Sequence, residues 1–364
     1  MRTARGMKVL AAAGAAILAL GLTACGGGDN GDNNNGGGSS DKPTLKIGLA
    51  YDIGGRGDKS FNDSAAAGLD RLKVDLADKF NLEVNELPAN VNETEDDKYA
   101  RLVALCQGGF DPVIAVGFVY AGADPANGPL ARAAKECPDT KFAIIDSSAV
   151  DQPNVAGLTF AEHEGSFLVG AAAALKSETG HVGFIGGCLI GLIQKFEAGF
   201  VAGAKHVNPD IQVDVQYIST PAENCSGFND PARGKTAAEG MYDAGADIVY
   251  HAAGGSGTGV FQAASEKGGK AIGVDSDQYQ TVDQALRDVI ITSMLKRVDN
   301  AVYNFVIDFS EGKFTAGEQV FDLKSEGVGY STSGGFIDDI TDQLDELKEQ
   351  IVSGEITVPD APQS

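Results

Sequence analysis

The sequence predicts an α/β protein of two similar lobes, each a mostly parallel sheet flanked by helices. Three observations carry that expectation. Short apolar, β-branched runs alternate with helical patterns from residue 45 onward. The runs are continuously apolar, as strands of a parallel sheet covered on both faces must be. The alternation ends a first round near residue 160 and restarts near 180.

In the first round the strands fall at 45–51, 83–87, 112–116, 142–146 and 155–160, with helices at 62–80 and 97–106 among the connections. The second round places strands at 182–186, 213–218, 248–252, 271–274 and 289–292. A helix at 296–310, extended chain near 318–322 and an amphipathic helix at 339–352 follow. The expected division is an N-terminal lobe of 44–160 plus 297–364 and a C-terminal lobe of 161–296, so the chain crosses the hinge more than once. In open α/β sheets ligands sit beyond the carboxyl ends of the strands. Residues that follow strands are therefore the ones to inspect.

The first 24 residues stand apart. Arg2, Arg5 and Lys8 precede an apolar run over 9–22, too short for a hydrocarbon layer of roughly 30 Å at 1.5 Å per residue. The ending Leu22-Thr23-Ala24-Cys25-Gly26 resembles a bacterial lipobox, in which a peptidase cleaves before the cysteine and a thioether-linked lipid is attached to it. Residues 1–24 are read as a signal peptide, Cys25 as the lipidation site and 25–43 as a disordered tether of Gly, Asn, Asp and Ser. Residues 26–41 of that tether alone would have a reach of roughly 22 Å. No later stretch has 18 consecutive apolar residues, so membrane attachment through the lipid only is expected, at the cell membrane on its extracytoplasmic side.

Composition narrows the partners. The chain is 43% apolar, with 48 glycines and no tryptophan, which suits a globular α/β protein rich in tight turns. Its net charge of −23 becomes −26 when Arg2, Arg5 and Lys8 are removed, a surface that repels nucleic acid and anionic lipid. Beyond Cys25 four cysteines remain, and an even number in an exported protein predicts two disulfides. Of three connectivities, Cys106–Cys137 and Cys188–Cys225 keep each pair inside one lobe. The cysteine spacings match no zinc motif and the four histidines are scattered, so no metal or cofactor is expected, and the protein is read as a monomer.

Two motifs imitate phosphate sites. Gly55-Arg56-Gly57-Asp58-Lys59-Ser60 half-matches a dinucleotide fingerprint, but Ser60 replaces the third glycine and Asp58 stands where a pyrophosphate would lie. Gly234-Lys235-Thr236 imitates the end of a phosphate-binding loop, yet the required first glycine falls on Asn229. That segment reads better as a helix start, with Asp230 as N-cap and Pro231 at the first helical position. No G-x-S-x-G elbow is present and no catalytic residue is assigned, so an enzyme is not expected.

Chemistry concentrates after the strands. Tyr51-Asp52 is followed by Asp58-Lys59-Ser60-Phe61-Asn62-Asp63, and Ile145-Asp146-Ser147 ends the fourth strand. The crossing segment runs Phe160-Ala161-Glu162-His163-Glu164-Gly165. Then come Phe196-Glu197-Ala198-Gly199-Phe200, Gly227-Phe228-Asn229-Asp230-Pro231, Ala253-Gly254-Gly255-Ser256-Gly257, Gly273-Val274-Asp275-Ser276-Asp277 and Met294-Leu295-Lys296-Arg297.

Over roughly residues 45–330 this ordered set resembles the basic membrane protein family, the nucleoside-binding lipoproteins of ABC importers. The resemblance implies a type I two-lobed periplasmic binding protein fold, a purine nucleoside held between the lobes, and an ABC permease as membrane partner. It implies that Phe61 and Phe228 sandwich the base and that Asp52 and Asp146 contact the ligand from the first lobe. Asp275 would accept from the ribose diol, Lys296 would donate to ribose oxygens, Gly254 would allow close backbone approach, and Asn62 would use both amide functions. Each residue also has a plainer reading: Phe61 and Phe228 as core, Asp146 and Asp275 as helix N-caps, Lys296 as a surface side chain opening a helix, Asn62 as a cap.

Three carboxylates facing one lysine disfavour a phosphate dianion, so nucleosides are expected over nucleotides. The segment Gly187-Cys188-Leu189-Ile190-Gly191-Leu192 departs from the family's usual one, which often has proline near residue 191; a Cys188–Cys225 bond would brace the loop leading to Phe228. The competing expectation keeps the fold and changes the ligand to a sugar, riboflavin or a signalling molecule, with the protein as a sensor subunit.

Overall fold

In the computed structural model, which describes residues 42–90 and 92–363, the strand–helix alternation closes into two six-stranded sheets. The leader, Cys25 and nearly all of the tether lie outside the described residues. The first lobe is built from β1 (Thr44–Ala50), α1 (Phe61–Asp75), β2 (Asn81–Leu87), α2 (Glu95–Gln107), β3 (Val113–Ala115), α3 (Pro129–Glu136), β4 (Phe142–Ile145) and β5 (Val155–Phe160). The second holds α4 (Glu162–Lys176), β6 (His181–Gly186), α5 (Gly191–Val207), β7 (Gln212–Tyr217), α6 (Pro231–Asp243), β8 (Ile248–Ala252), α7 (Gly257–Lys267) and β9 (Lys270–Asp275). Two single turns, α8 (Gln278–Thr281) and α9 (Gln284–Arg287), lead to β10 (Ile290–Lys296). The chain ends with α10 (Val298–Ser310), β11 (Gly317–Phe321), β12 (Val328–Tyr330) and α11 (Thr341–Val352).

The sheet orders are β11-β5-β4-β3-β1-β2 and β12-β10-β9-β8-β6-β7. The lobes repeat one plan, with β1 matched by β6 and β4 by β9; the difference is that β11 joins its sheet parallel and β12 antiparallel. The strands are apolar on both faces because helices cover both. Ile47 and Leu49 of β1 and Leu69 and Leu72 of α1 are wholly buried, each contributing about 1.5–3 kcal/mol of burial free energy. Helix ends follow local chemistry: Thr94 and Asp97 form a reciprocal capping box at α2, and Asp230 accepts from Arg233 N at the start of α6, with Pro231 first in the helix.

In the second lobe α4 and α5 pack backbone to backbone. A Cβ placed at Gly170 would lie 2.1 Å from the Phe200 carbonyl oxygen, and one at Gly203 would lie 1.9 Å from that of Phe167. Disulfides join Cys106 to Cys137 in the first lobe and Cys188 to Cys225 in the second.

The tail departs from the expected division. Residues 297–364 do not all return to the first lobe: α10 packs on α1 and β11 joins β5, but β12 pairs with β10 and α11 lies on α4. The reason is local pairing. Arg297 N donates to Gly327 O at 2.9 Å, which brings the chain after β11 back beside β10, and Leu344 and Ile351 of α11 bury their side chains there. The lobes are thus linked three times, and Ala161 N donates to Phe321 O at 2.9 Å, tying two links together. Lys296 is the last residue of β10 rather than the first of a helix, which starts only at Val298.

Candidate functional site

The carboxyl ends of both sheets face one cavity of about 570 Å³, its open mouth included. Asp52, Phe61, Asn62, Asp146, Phe228, Gly254, Asp275 and Lys296 all line it. They come from six strand ends or the loops after them and from the first turn of α1, and the fold brings them together.

Asp52 follows β1 and turns back on its own loop, its Oδ1 accepting from Ile53 N at 2.7 Å. Gly117, at φ 115°, leaves room for it: a Cβ there would lie 2.7 Å from Asp52 Oδ2. Asn62 Oδ1 accepts from Asp52 N at 3.1 Å while its amide donates to Ile53 O and Asp58 Oδ2, so both functions brace the wall. It is not the cap of α1. That role belongs to Asp58, which accepts from the backbone N–H groups of Ser60, Asn62 and Asp63 at 2.8–3.1 Å. A carboxylate therefore fills the helix N-terminus where a pyrophosphate would sit.

Asp146 and Asp275 occupy matching places, just after β4 and at the end of β9, and both adopt left-handed backbone, at φ 67° and 63°. Neither caps a helix. Asp tolerates this region better than most residues, and the conformation turns each carboxyl out of its sheet toward the cleft. Burial pushes Asp52 and Asp146 up to about 6, the latter in spite of Lys296 beside it. Burial carries Asp275 further, to about 7.

Lys296 is buried, not a surface side chain. Its Nζ lies 2.6 Å from Asp146 Oδ1 and 3.1 Å from Glu162 Oε1. The rings of Phe61, Phe160 and Phe196 surround the ammonium at 5.3, 5.0 and 5.4 Å. Burial alone would lower its pKa, but Asp146, Glu162 and Asp275 together push it above the usual lysine range. The cation stays charged and largely neutralised by its partners.

The second lobe presents Phe228 and the Gly254 turn, whose φ is 53°. Phe228 is half-buried and meets Phe118 of the first lobe edge-on, 6.5 Å between centroids. Sequence reasoning assigns no site role to Phe118, Phe196, Leu192 and Ile193, which add to the apolar lining, or to Glu162, which holds Lys296, although Phe196 and Glu162 stand in the ordered segments it quotes. Phe118 was findable, since it follows β3 just as Asp52 follows β1.

Two parallel-sheet lobes, linked three times and closing on a cavity lined from both sides, define a bilobal solute-binding protein. The chain belongs to the Bmp family, the PnrA-like substrate-binding proteins of ABC transporters, whose family model spans residues 45–362. It is 35% identical over 332 residues to the ABC transporter nucleoside-binding protein BmpA of Lactococcus lactis subsp. cremoris, covering 87% of this chain and 90% of that one. It is 33% identical over 327 residues to basic membrane protein A of Borreliella burgdorferi, covering 88% and 89%. The solved structure of an ABC transporter solute-binding protein from Aeropyrum pernix K1 superposes with a TM-score of 0.73 at 29% identity, over 88% of this chain and 94% of that one. An arabinose-binding protein, AraP of Geobacillus stearothermophilus, shares the fold at a TM-score of 0.58 and 15% identity, over 84% and 99%. The family consists of transporter binding proteins, not enzymes. Among the described residues no helix is long and apolar enough to cross a membrane.

Proposed function

We propose that this substrate-binding protein captures a nucleoside, with a purine base, in the interlobe cavity and delivers it to an ABC permease. In this reading it is a monomeric lipoprotein held at Cys25 on the extracytoplasmic side of the cell membrane. The observation that carries the ligand class is the pairing of aromatic faces from both lobes, Phe61 and Phe228, with carboxylates at the ends of β1, β4 and β9. Stacking is worth roughly 1–3 kcal/mol per base, and a flat ligand touching both lobes selects the closed arrangement.

The polar groups match a donor-rich ligand. Asp275 takes Ser60 on one oxygen and keeps the other for a ribose hydroxyl. Lys296 is ion-paired with Asp146 and Glu162 and carries three N–H donors, so a donor remains for a ligand oxygen. Because Lys296, the one cavity-lining lysine among the described residues, is already paired, a phosphate dianion would meet uncompensated negative charge.

Thermal melting and calorimetry with guanosine, inosine, adenosine, guanosine monophosphate, ribose, arabinose and riboflavin test this. A nucleoside at 100 times its Kd should stabilise the fold by roughly 2.7 kcal/mol, with the monophosphate far weaker. Equal affinity for guanosine and its monophosphate, or a response to sugar alone, would overturn the reading.

A further inference from the structure

We propose that the Cys188–Cys225 disulfide is a positioning element of the binding site. It holds the loop between β7 and α6 so that the Phe228 ring faces the cleft, and so sets affinity for flat ligands. The proposal rests on the nucleoside reading and adds to it a residue pair that does not touch the ligand.

The bond ties the loop after β6 to the loop after β7, two neighbouring strands, at the point where both chains leave the sheet. Phe228 lies three residues beyond Cys225, and its N–H bonds back to Cys225 O at 3.3 Å. The turn between is unfavourable without support, because Asn224 and Cys225 are consecutive non-glycine residues in left-handed backbone, at φ 53° and 51°. With the bond cut, that turn would have lower-energy alternatives, and the ring would move with it.

Two serines continue the clamp beyond the disulfide. Ser219 Oγ donates to Gly187 O at 2.7 Å and accepts from Gly227 N at 2.9 Å. Ser256 Oγ donates to Gly227 O and accepts from Asp230 N, both at 2.7 Å. The ring itself rests on Gly187, the residue before Cys188: a Cβ there would lie 2.5 Å from Phe228 Cδ1. The same short segment thus forms both the floor under the ring and the anchor of its loop.

Guanosine titration of the full chain tests the proposal through a double-mutant cycle. The variant C188S/C225S should bind roughly tenfold more weakly, whereas C106S/C137S should lower the melting temperature and leave affinity within about twofold. In a Phe228→Ala background, removing Cys188–Cys225 should change affinity no further, a result that general loosening of the lobe would not give. Unchanged affinity in C188S/C225S, or a loss that adds in full to that of Phe228→Ala, overturns the proposal. If C188S/C225S does not fold, reduction of the folded C106S/C137S chain, which leaves Cys188–Cys225 to be cut, enters the same cycle with the same two outcomes. A wild-type chain that binds no nucleoside fails at the first titration and overturns the nucleoside reading, which separates the two failures.

Discussion

Ser60 Oγ of the first lobe donates to Asp275 Oδ2 of the second at 2.5 Å, joining the two walls of the cleft. Ser276 Oγ donates to Ser60 O, and Gln278 Nε2 to Lys59 O, each at 2.9 Å. Asp275 thus serves closure with one oxygen and faces the cavity with its side chain. Hydrogen bonds to charged groups contribute about 1.5–3 kcal/mol. Ser60→Ala should therefore weaken nucleoside binding roughly tenfold and enlarge the ligand-free protein in small-angle scattering. Wild-type affinity in that variant would remove the clasp from the closure step.

The acidic wall makes pH act in opposite directions on stability and on binding. An ordinary Asp titrates near 3.9, whereas burial holds Asp275 at about 7. Between roughly pH 4 and 7 the folded chain keeps a proton that the unfolded chain has released, so the contribution of Asp275 to stability falls as pH rises through that window. Asp275→Asn should melt above wild type at pH 8, with the difference shrinking toward pH 4. Ligand donors need the ionised carboxylates, so nucleoside affinity should weaken as pH falls from 8 to 5. Paired melting curves and titrations across that range check both signs.

Lys296 compensates two carboxylates at once, Asp146 and Glu162. Removing one partner of a buried ion pair typically costs about 3–5 kcal/mol. Lys296→Met should lower the melting temperature sharply and abolish binding. Adding Glu162→Gln should restore part of the stability, since it removes one orphaned charge, and none of the affinity. Denaturant unfolding of the two variants separates these effects.

The contact between α4 and α5 offers a purely structural counterpart. Gly203 has no room for a methyl group against the Phe167 carbonyl, and overpacking of this kind costs about 1–3 kcal/mol. Gly203→Ala should melt lower while its folded fraction binds nucleoside as wild type does. A loss of affinity at temperatures where the variant is fully folded would show that the interface reaches the cleft.

What the sequence revealed followed from how much each signal depends on neighbours. Strands such as β5 and β8 were legible to the residue, because an apolar β-branched run bounded by turn residues has few other uses. Lys296 was misplaced because a lysine beside an arginine and an aspartate reads as a helix start; only the fold supplies the carboxylates and rings that let it end a buried strand. The three-residue β12 carries too little pattern to detect, and an amphipathic α11 states that it packs without stating on what. Glu162 lies in a segment already in view and Phe118 just beyond a predicted strand, but their roles depend on contacts across the cleft or hinge.

The late arrival of β11 and β12 has a consequence for synthesis. Each is the outermost strand of its sheet, and they span residues 317–321 and 328–330 of a 364-residue chain. A growing polypeptide that has reached residue 316 has both sheets unfinished, with β5 and β10 exposing unpaired edges. Both sheets gain their last strand within the fourteen residues 317–330. A chain stopped before that stretch would leave both sheets open at one edge, so neither sheet is finished long before the other.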